Sequence, residues 1–216
     1  MNKYDLHIHT HHSACSRIRP KKLLQIAKKR KLNGIAITNH NTIKGGAEVK
    51  KLNKDKNFEV IIGAEIKTDK GEILGLYLKK EIKSRKAEEV IDEIHKQGGI
   101  AIAAHPFTWG LLRTAAKFDK KELKKLDGFE TFNARNTFRW ENELAVQFAQ
   151  KHKLAQTAGS DAHFYYEIGR AFTLFKGSLR NAIKKRKTVI MGRIAPLPFG
   201  RAFSMFRRFA VKFIKK

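Results

Sequence analysis

The chain has 216 residues, enough for one substantial core and short for two. Its 46 Lys and Arg against 20 Asp and Glu give a formal net charge of +26. Such a field attracts polyanions, phosphorylated molecules or anionic membranes, or serves as a solvated Lys-rich surface of the heat-adapted kind, and it leaves the fold open. A single cysteine, Cys15, excludes an intramolecular disulfide. The first strand begins too early for a secretory signal, and no apolar run approaches a membrane span, so a reducing, cytoplasmic setting is expected.

In chain order, residues 4–9 read as a strand and 21–31 as a helix, with Pro20 suited to its first turn and Leu23, Leu24, Ile26 and Ala27 on its buried face. Asn33 and Gly34 end that helix before a strand at 35–38. Residues 60–62 read as the next strand and 73–78 as another, joined through a turn at Asp69, Lys70 and Gly71. The basic stretch 79–86 is taken as helical. Residues 86–97 have helical periodicity with Gly98 and Gly99 as the stop, and 100–104 read as a strand. Strands at 127–132, 156–158, 171–175 and 188–190 alternate with helices at 141–152 and 179–187. This succession predicts an α/β fold with a parallel sheet closed into a distorted (β/α)7, TIM-like barrel over residues 1–194. The remainder, 195–216, reads as a short basic C-terminal helix. From Phe199 to Lys216 it carries five Phe and six Lys or Arg with no acid, which suits either an interfacial helix or a helix closing the barrel floor.

Four ligand-type clusters follow these strands: His7 and His9, Glu65, His105 before Pro106, and Asp161 with His163. A lone histidine usually carries no special role. Strand alternation, however, sends both rings of a His-x-His to one face, and Asp161 and His163 repeat that spacing. His, Glu and Asp without cysteine partners form the ligand chemistry of a catalytic rather than a structural metal site. The carboxyl ends of strands are where parallel α/β folds gather such chemistry.

The same blocks resemble the PHP (polymerase and histidinol phosphatase) family of metal-dependent phosphoesterases. They run in family order: Asp5-Leu6-His7-Ile8-His9, Ile37-Thr38-Asn39-His40-Asn41-Thr42, Gly63-Ala64-Glu65, Ala104-His105-Pro106, Glu130-Thr131-Phe132-Asn133, and Gly159-Ser160-Asp161-Ala162-His163. The resemblance implies two to three divalent ions at the strand ends, with Zn, Mn or Fe expected. His7, His9, Glu65 and Asp161 would hold the first, with Glu65 bridging to a second at His105. A third would use His40, His163 and an Asp from the loop after the first motif. That loop carries Cys15 and no Asp, and the usual acids beside His40 are Asn39 and Asn41. The first two positions are therefore expected intact and the third weakened. Cys15 is read as a bystander thiol, with a soft substitute ligand as the alternative.

Metal-bound hydroxide attacking a phosphomonoester or short phosphodiester is the expected chemistry, in a hydrolase that acts on phosphate esters. Glu65 is the natural bridge because a carboxylate has two oxygens to share. His40 or His163 would serve as ligand or general acid, making Glu65, His40 and His163 the catalytic candidates. Arg135 and Arg170 are candidates for gripping phosphate, or else for rim salt bridges. The expected partner is a small phosphorylated substrate. Alternatives are nucleic acid, as for an exonuclease or ribonuclease although no stacking platform is evident, a catalytically silent metal-binding module, and an anionic membrane surface met by the tail.

Overall fold

The computed structural model describes residues 1–108 and 118–195. The basic helix expected in the tail falls, from residue 196 on, outside the described residues. Among those described, no helix is long and apolar enough to cross a membrane.

The elements in chain order are β1 (Asn2–Ile8), α1 (Pro20–Lys29), β2 (Gly34–His40), α2 (Lys44–Leu52), β3 (Glu59–Lys67), β4 (Glu72–Leu76) and α3 (Ala87–Lys96). They continue with β5 (Ile100–Ala103), α4 (Lys120–Lys125), β6 (Gly128–Asn133), α5 (Arg139–Lys151), β7 (Ala155–Gly159), β8 (Ala171–Phe175), α6 (Leu179–Lys184) and β9 (Val189–Gly192). One sheet runs β7-β6-β5-β4-β3-β2-β1-β8-β9. It curls until its edge strand β7 nearly meets β1 and β8. Ile8 forms a parallel bridge with Ala162, just past β7, and His9 N donates to Ala162 O at 3.0 Å. On β8, Thr173 Oγ1 accepts from Ala158 N at 2.8 Å and donates to Ala158 O at 3.1 Å. The result is a mixed α/β fold around a nearly closed, barrel-shaped sheet.

Alternation along the strands sorts the apolar residues into an inside and an outside. Leu6, Ala36, Ile61, Leu74, Ile102 and Phe175, from six strands, meet in one interior cluster that α6 closes with Leu179, Ala182 and Ile183. The opposite faces pack outward. Ile35, Ile37 and Val60 meet Leu23, Leu24 and Ala27 of α1. Ile73, Ala101, Ala103 and Phe129 meet Val90, Ile91 and Ile94 of α3.

Three expectations change. The sheet is not parallel throughout, because β4 runs antiparallel to both β3 and β5, and β8 antiparallel to β1. The expected turn, with no helix, joins β3 to β4. The chain returns at once through a turn in which Thr68 N donates to Gly71 O at 2.8 Å and Gly71 takes φ 145°. The stretch 79–86 is irregular rather than helical. Its amides are taken by side chains of and just beyond α3, with Gln97 Oε1 accepting from Lys79 N and Lys80 N, and Glu93 from Lys83 N and Ser84 N. Lysines without an apolar stripe offer a helix nothing to bury. Conversely, α2 forms where the sequence reading left a loop. Its Gly45 and Gly46 are poor helix formers, but a Cβ at Gly45 would run into Asn39 Oδ1 and Thr10 Oγ1, so close packing explains glycine there. The six-residue α4 was also missed, although Asp119 and Glu122 form a reciprocal capping box at its start.

At the end of α3, His95 Nε2 lies 2.9 Å from Asp127 Oδ2, which also accepts from Ala101 N at 2.8 Å. The bond to Asp127 raises the His95 pKa against partial burial. A raised histidine contributes stability in full below its unfolded value, about 6.5, and loses it as pH rises through the folded value. With both side chains 36% exposed, screening holds the contribution to no more than about 1 kcal/mol. His95→Ala should therefore lower the melting temperature by a few degrees near about pH 5 and by almost nothing near about pH 9. Thermal melts at both pH values check this, and an equal loss at both would show that the charge does not contribute.

Candidate metal centre

The ligand-type side chains converge at one mouth of the barrel because strand parity aims them inward. On β3, Ile61 faces the interior, and four residues on so does Glu65. On β4, Leu74 and Leu76 face inward, so Glu72 does too. Running antiparallel, β4 begins at the mouth where β3 ends, and Lys67 pairs with Glu72. On β1 the register shifts between Asp5 and Ile8. Leu6 packs in the interior whereas Ile8 packs against the outer helices, so the irregularity turns the chain where His7 and His9 must both reach the site. His105 and Asp161 follow their strands with φ of 26° and 51°, a left-handed backbone uncommon outside glycine. Such conformations persist where the surroundings over-determine them, and functional sites are a frequent place.

Glu65 is the centre of the cluster and is 1% exposed. His105 Nε2 lies 2.9 Å from its Oε1, His40 Nδ1 2.7 Å from Oε2, His9 Nε2 3.4 Å from Oε2 and His7 Nε2 3.6 Å from Oε1. Asp161 Oδ1 lies 3.5 Å from His7 Nε2 and 3.2 Å from His9 Nε2, and the two Nε2 atoms are 3.1 Å apart. Four donors 2.0–2.1 Å from one tetrahedral ion would stand about 3.3–3.4 Å from each other. His7 Nε2 and His9 Nε2 stand close to that spacing from each other, from Asp161 Oδ1 and from the Glu65 carboxylate. The fit extends to a second position, where His105 Nε2 is 3.6 Å from Glu72 Oε2 and shares Glu65 with the first set. Glu65 Oε2 and His105 Nδ1 are buried without an aligned hydrogen-bond partner. Orphaned atoms of this kind are expected where a ligand supplies the missing contact.

The charges within the cluster offset one another. Burial alone would push the Glu65 carboxyl up. Charge on His40 and His7, with bonds from His105 and His40, instead holds it well below the usual range. Asp161 is likewise held low against burial, mainly by His7 and His9. His7 is raised well above its ordinary value against burial by Glu130, Asp161 and Glu65, and His105 is raised to about 9 by Glu65. His40 also rises, against burial, beside Glu65 and Cys15. Burial and the charge of His40 pull His9 down to about 4, and burial with Arg135 pulls His163 well below its usual value. The cluster therefore sets carboxylates held low against His7, His40 and His105, which are raised, with His9 and His163 lowered beside them.

Several contributors were not singled out from the sequence. Glu130, 1% exposed at the inward face of β6, accepts at 2.9 Å from His7 Nδ1 through Oε1, and from His105 N and Asn133 Nδ2 through Oε2. It thereby turns His7 Nε2 towards the ion position. Asp5, wholly buried and with a carboxyl pushed up to about 6 by burial, accepts from Ser160 N at 2.9 Å and Gly169 N at 2.7 Å. Its role is to tie the first motif to the last. Glu72 escaped because only carboxyl ends of strands were searched, although the hairpin turn was already legible. Of the candidate arginines, Arg135 lies 4.0 Å from Asp161 through Nε and is held by Glu167 at 3.0 Å through Nη1. Arg170 is not brought to the cluster by any described contact. Its Nε donates instead to Tyr166 O at 3.2 Å.

Glu130→Gln keeps every direct donor in place while removing the charge that orients His7. Substitutions at such supporting partners typically cost 10- to 100-fold in metal affinity, and a loss of about that size is expected here. Competition with a chromophoric chelator measures it, and unchanged affinity would show that Glu130 does not set the ligand.

Comparison with known proteins agrees with this geometry. The family model described as PHP-associated matches residues 139–188. Two uncharacterized proteins of Methanocaldococcus jannaschii are similar in sequence. MJ1587 is 44% identical over 143 residues, 61% of this chain and 82% of that protein. MJ0417 is 38% identical over 178 residues, 80% of this chain and 70% of that protein. A two-domain protein from Bacteroides vulgatus, containing a predicted PHP-like metal-dependent phosphoesterase, superposes with a TM-score of 0.74 at 19% identity over 89% of this chain. This chain spans 65% of its length. The lesion-specific endonuclease PfuEndoQ from Pyrococcus furiosus superposes with a TM-score of 0.61 at 18% identity, over 88% of this chain and 57% of its own. The chain therefore belongs to one family with the two Methanocaldococcus proteins, and in its ordered ligand blocks, its PHP-associated segment and its barrel it resembles PHP proteins.

Proposed function

We propose that the protein is a metal-dependent hydrolase acting on a phosphomonoester or a short phosphodiester. The observation that carries this reading is the 3.1–3.6 Å spacing of the donors of His7, His9, Glu65 and Asp161, with a second position at His105 sharing the Glu65 carboxylate. Divalent ions bound there supply Lewis acidity and lower the pKa of a bound water towards neutrality. The Glu65 carboxylate, within 3.6 Å of His7, His9 and His105, would be shared by the two positions. Glu130 holds His7, and through its second oxygen the backbone of His105, so the two positions cannot drift apart independently. At the lip of the cluster Arg135 carries a guanidinium beside Asp161, where it would meet phosphate oxygens arriving from solvent. Arg170 has no such placement.

A second reading, in which the ester belongs to a nucleic acid, is favoured by two aromatic pairs. Phe138 and Trp140 stack with centroids 5.9 Å apart and 11° between planes, and both are about two-fifths exposed. Phe164 and Tyr166, directly after His163, stack at 5.8 Å and 16°. They stand on the segments after β6 and β7, the strands that deliver Glu130 and Asp161. Exposed aromatic faces beside basic side chains are the platform that single-stranded bases use, and the name of the Pyrococcus neighbour points the same way.

The test is turnover by the Mn²⁺-reconstituted protein of an aryl phosphomonoester, an aryl phosphodiester and a short single-stranded oligonucleotide. Glu65→Gln should abolish whatever activity is present, a loss on the order of 100-fold or more. Trp140→Ala should weaken oligonucleotide cleavage roughly fivefold to a hundredfold and leave the aryl esters unaffected, since stacking contributes about 1–3 kcal/mol per base. Metal-loaded protein that cleaves none of the three would mark a silent binding module. Equal loss on all substrates in Trp140→Ala would remove the case for nucleic acid.

A further inference from the structure

We propose that Cys15 is a metal ligand, forming with His40 and His163 a thiolate-bearing site that selects a zinc-type ion over a hard cation. The Cys15 sulfur and one ring nitrogen each of His9, His40 and His163 all lie within 4.8 Å of one another. Cys15 is 4% exposed. The sulfur therefore does not stand apart from the histidines.

Each imidazole already has a committed nitrogen that leaves the other for this position. His163 Nδ1 lies 2.8 Å from Asp161 O, and His40 Nδ1 lies 2.7 Å from Glu65 Oε2. The His9 ring stands between the two, with centroids 4.5 Å from His40 and 4.4 Å from His163, but its Nε2 faces Glu65 and Asp161. It belongs to the first ion position and serves here as a wall. Cys15, His40 and His163 are left as three donors with a fourth place open. In a tetrahedral zinc site with bonds of about 2.3 Å to sulfur and 2.0 Å to nitrogen, donors stand about 3.5 Å apart, so a small closure of the loop suffices.

The loop that carries Cys15 is strapped in place from both ends. Asn39 Nδ2 donates to Thr10 O at 3.1 Å and to Ser13 Oγ at 2.8 Å, while Asn39 Oδ1 accepts from Thr10 Oγ1 at 3.0 Å. Ser13 Oγ also accepts from His40 N at 3.0 Å. On the far side, Ser16 Oγ reaches His9 O at 3.1 Å and His163 O at 3.2 Å. Cys15 lies between these two clamps. An aspartate at position 39 would have no N–H to give Thr10 O and Ser13 Oγ. The amide is thus part of what presents the thiol. Asn41 Oδ1 is likewise used, accepting from Lys67 N at 3.1 Å. Neither asparagine is a ligand lost from the ion position. Sulfur with two imidazoles is a soft donor set, which suits zinc, iron or cobalt and disfavours magnesium and calcium.

The experiment loads chelator-stripped protein with Co²⁺ and records its absorption spectrum, alongside zinc counted per chain by elemental analysis. Wild-type protein should show an intense near-ultraviolet sulfur-to-cobalt charge-transfer band and bind a third equivalent of zinc. Cys15→Ser should lose both the band and that equivalent while keeping the other two. Cys15→Asp should lack the band but keep a third equivalent, with its preference for Zn²⁺ over Mn²⁺ reduced, which guards against a variant that merely misfolds. Saturating Co²⁺ without a sulfur band in the wild type, or a third zinc that persists in Cys15→Ser, would overturn the proposal. The spectrum and the count are independent of turnover, so an inactive protein would leave this assignment standing.

Discussion

A carboxylate withdrawn almost wholly from water among four imidazoles is the constraint around which this barrel mouth is built. Isolated burial of the Glu65 charge would cost several kcal/mol, more than a marginally stable domain can absorb without compensation. The compensation is the imidazoles of His7, His40 and His105, whose pKa values are raised and whose nitrogens stand within 2.7–3.6 Å of the carboxylate. Four segments of chain must therefore end at one point, and the backbone conforms to that demand. A register shift in β1 redirects its histidines, and His105 and Asp161 take left-handed conformations to turn back towards the centre. Asp5 ties the first motif to Ser160 and Gly169, more than a hundred and fifty residues on.

Outside that point the fold obeys ordinary rules. Inward apolar residues from successive strands fill the barrel, outward ones meet α1 and α3, and α6 plugs one end with Leu179, Ala182 and Ile183. The two mouths therefore differ in kind. One is closed by apolar packing, and the other is kept open by charge. Among the described residues, Asp161, His40 and His105 keep partial exposure at that mouth, and Arg135 stands beside Asp161.

Much of this was legible in the sequence because periodicity and ligand spacing are local. The strands carrying His7, Glu65, Asp161 and the stretch before His105 each show an apolar run ending at the chemistry. What was illegible depended on partners distant in sequence. Whether 79–86 coils into a helix depends on Glu93 and Gln97 capturing its amides, and lysine content says nothing of that. The helix α2 contains adjacent glycines that local propensity counts against it. Only the contact with Asn39, Thr10 and Ile62 explains them. Glu72 and Glu130 look like unremarkable strand acids until topology places the start of an antiparallel strand, and the inward face of β6, at the same mouth. The asparagines at 39 and 41 were legible as departures from the family pattern. Their meaning was not, because an amide that holds a loop and a carboxylate that holds an ion are distinguished by where the side chain points.

The protonation pattern bears on what an ion does here. In structural zinc sites the metal supplies folding energy outright, and the protein without it comes apart. In this barrel the apolar clusters that fill the interior and pack the outer helices contain no ligand side chain. A divalent ion held at the mouth would compete with protons for the same imidazole nitrogens, so metal affinity and proton concentration would oppose each other. Apolar packing builds the core in one place and ligand side chains line the mouth in another, which is the division expected of a reactive rather than a structural metal centre.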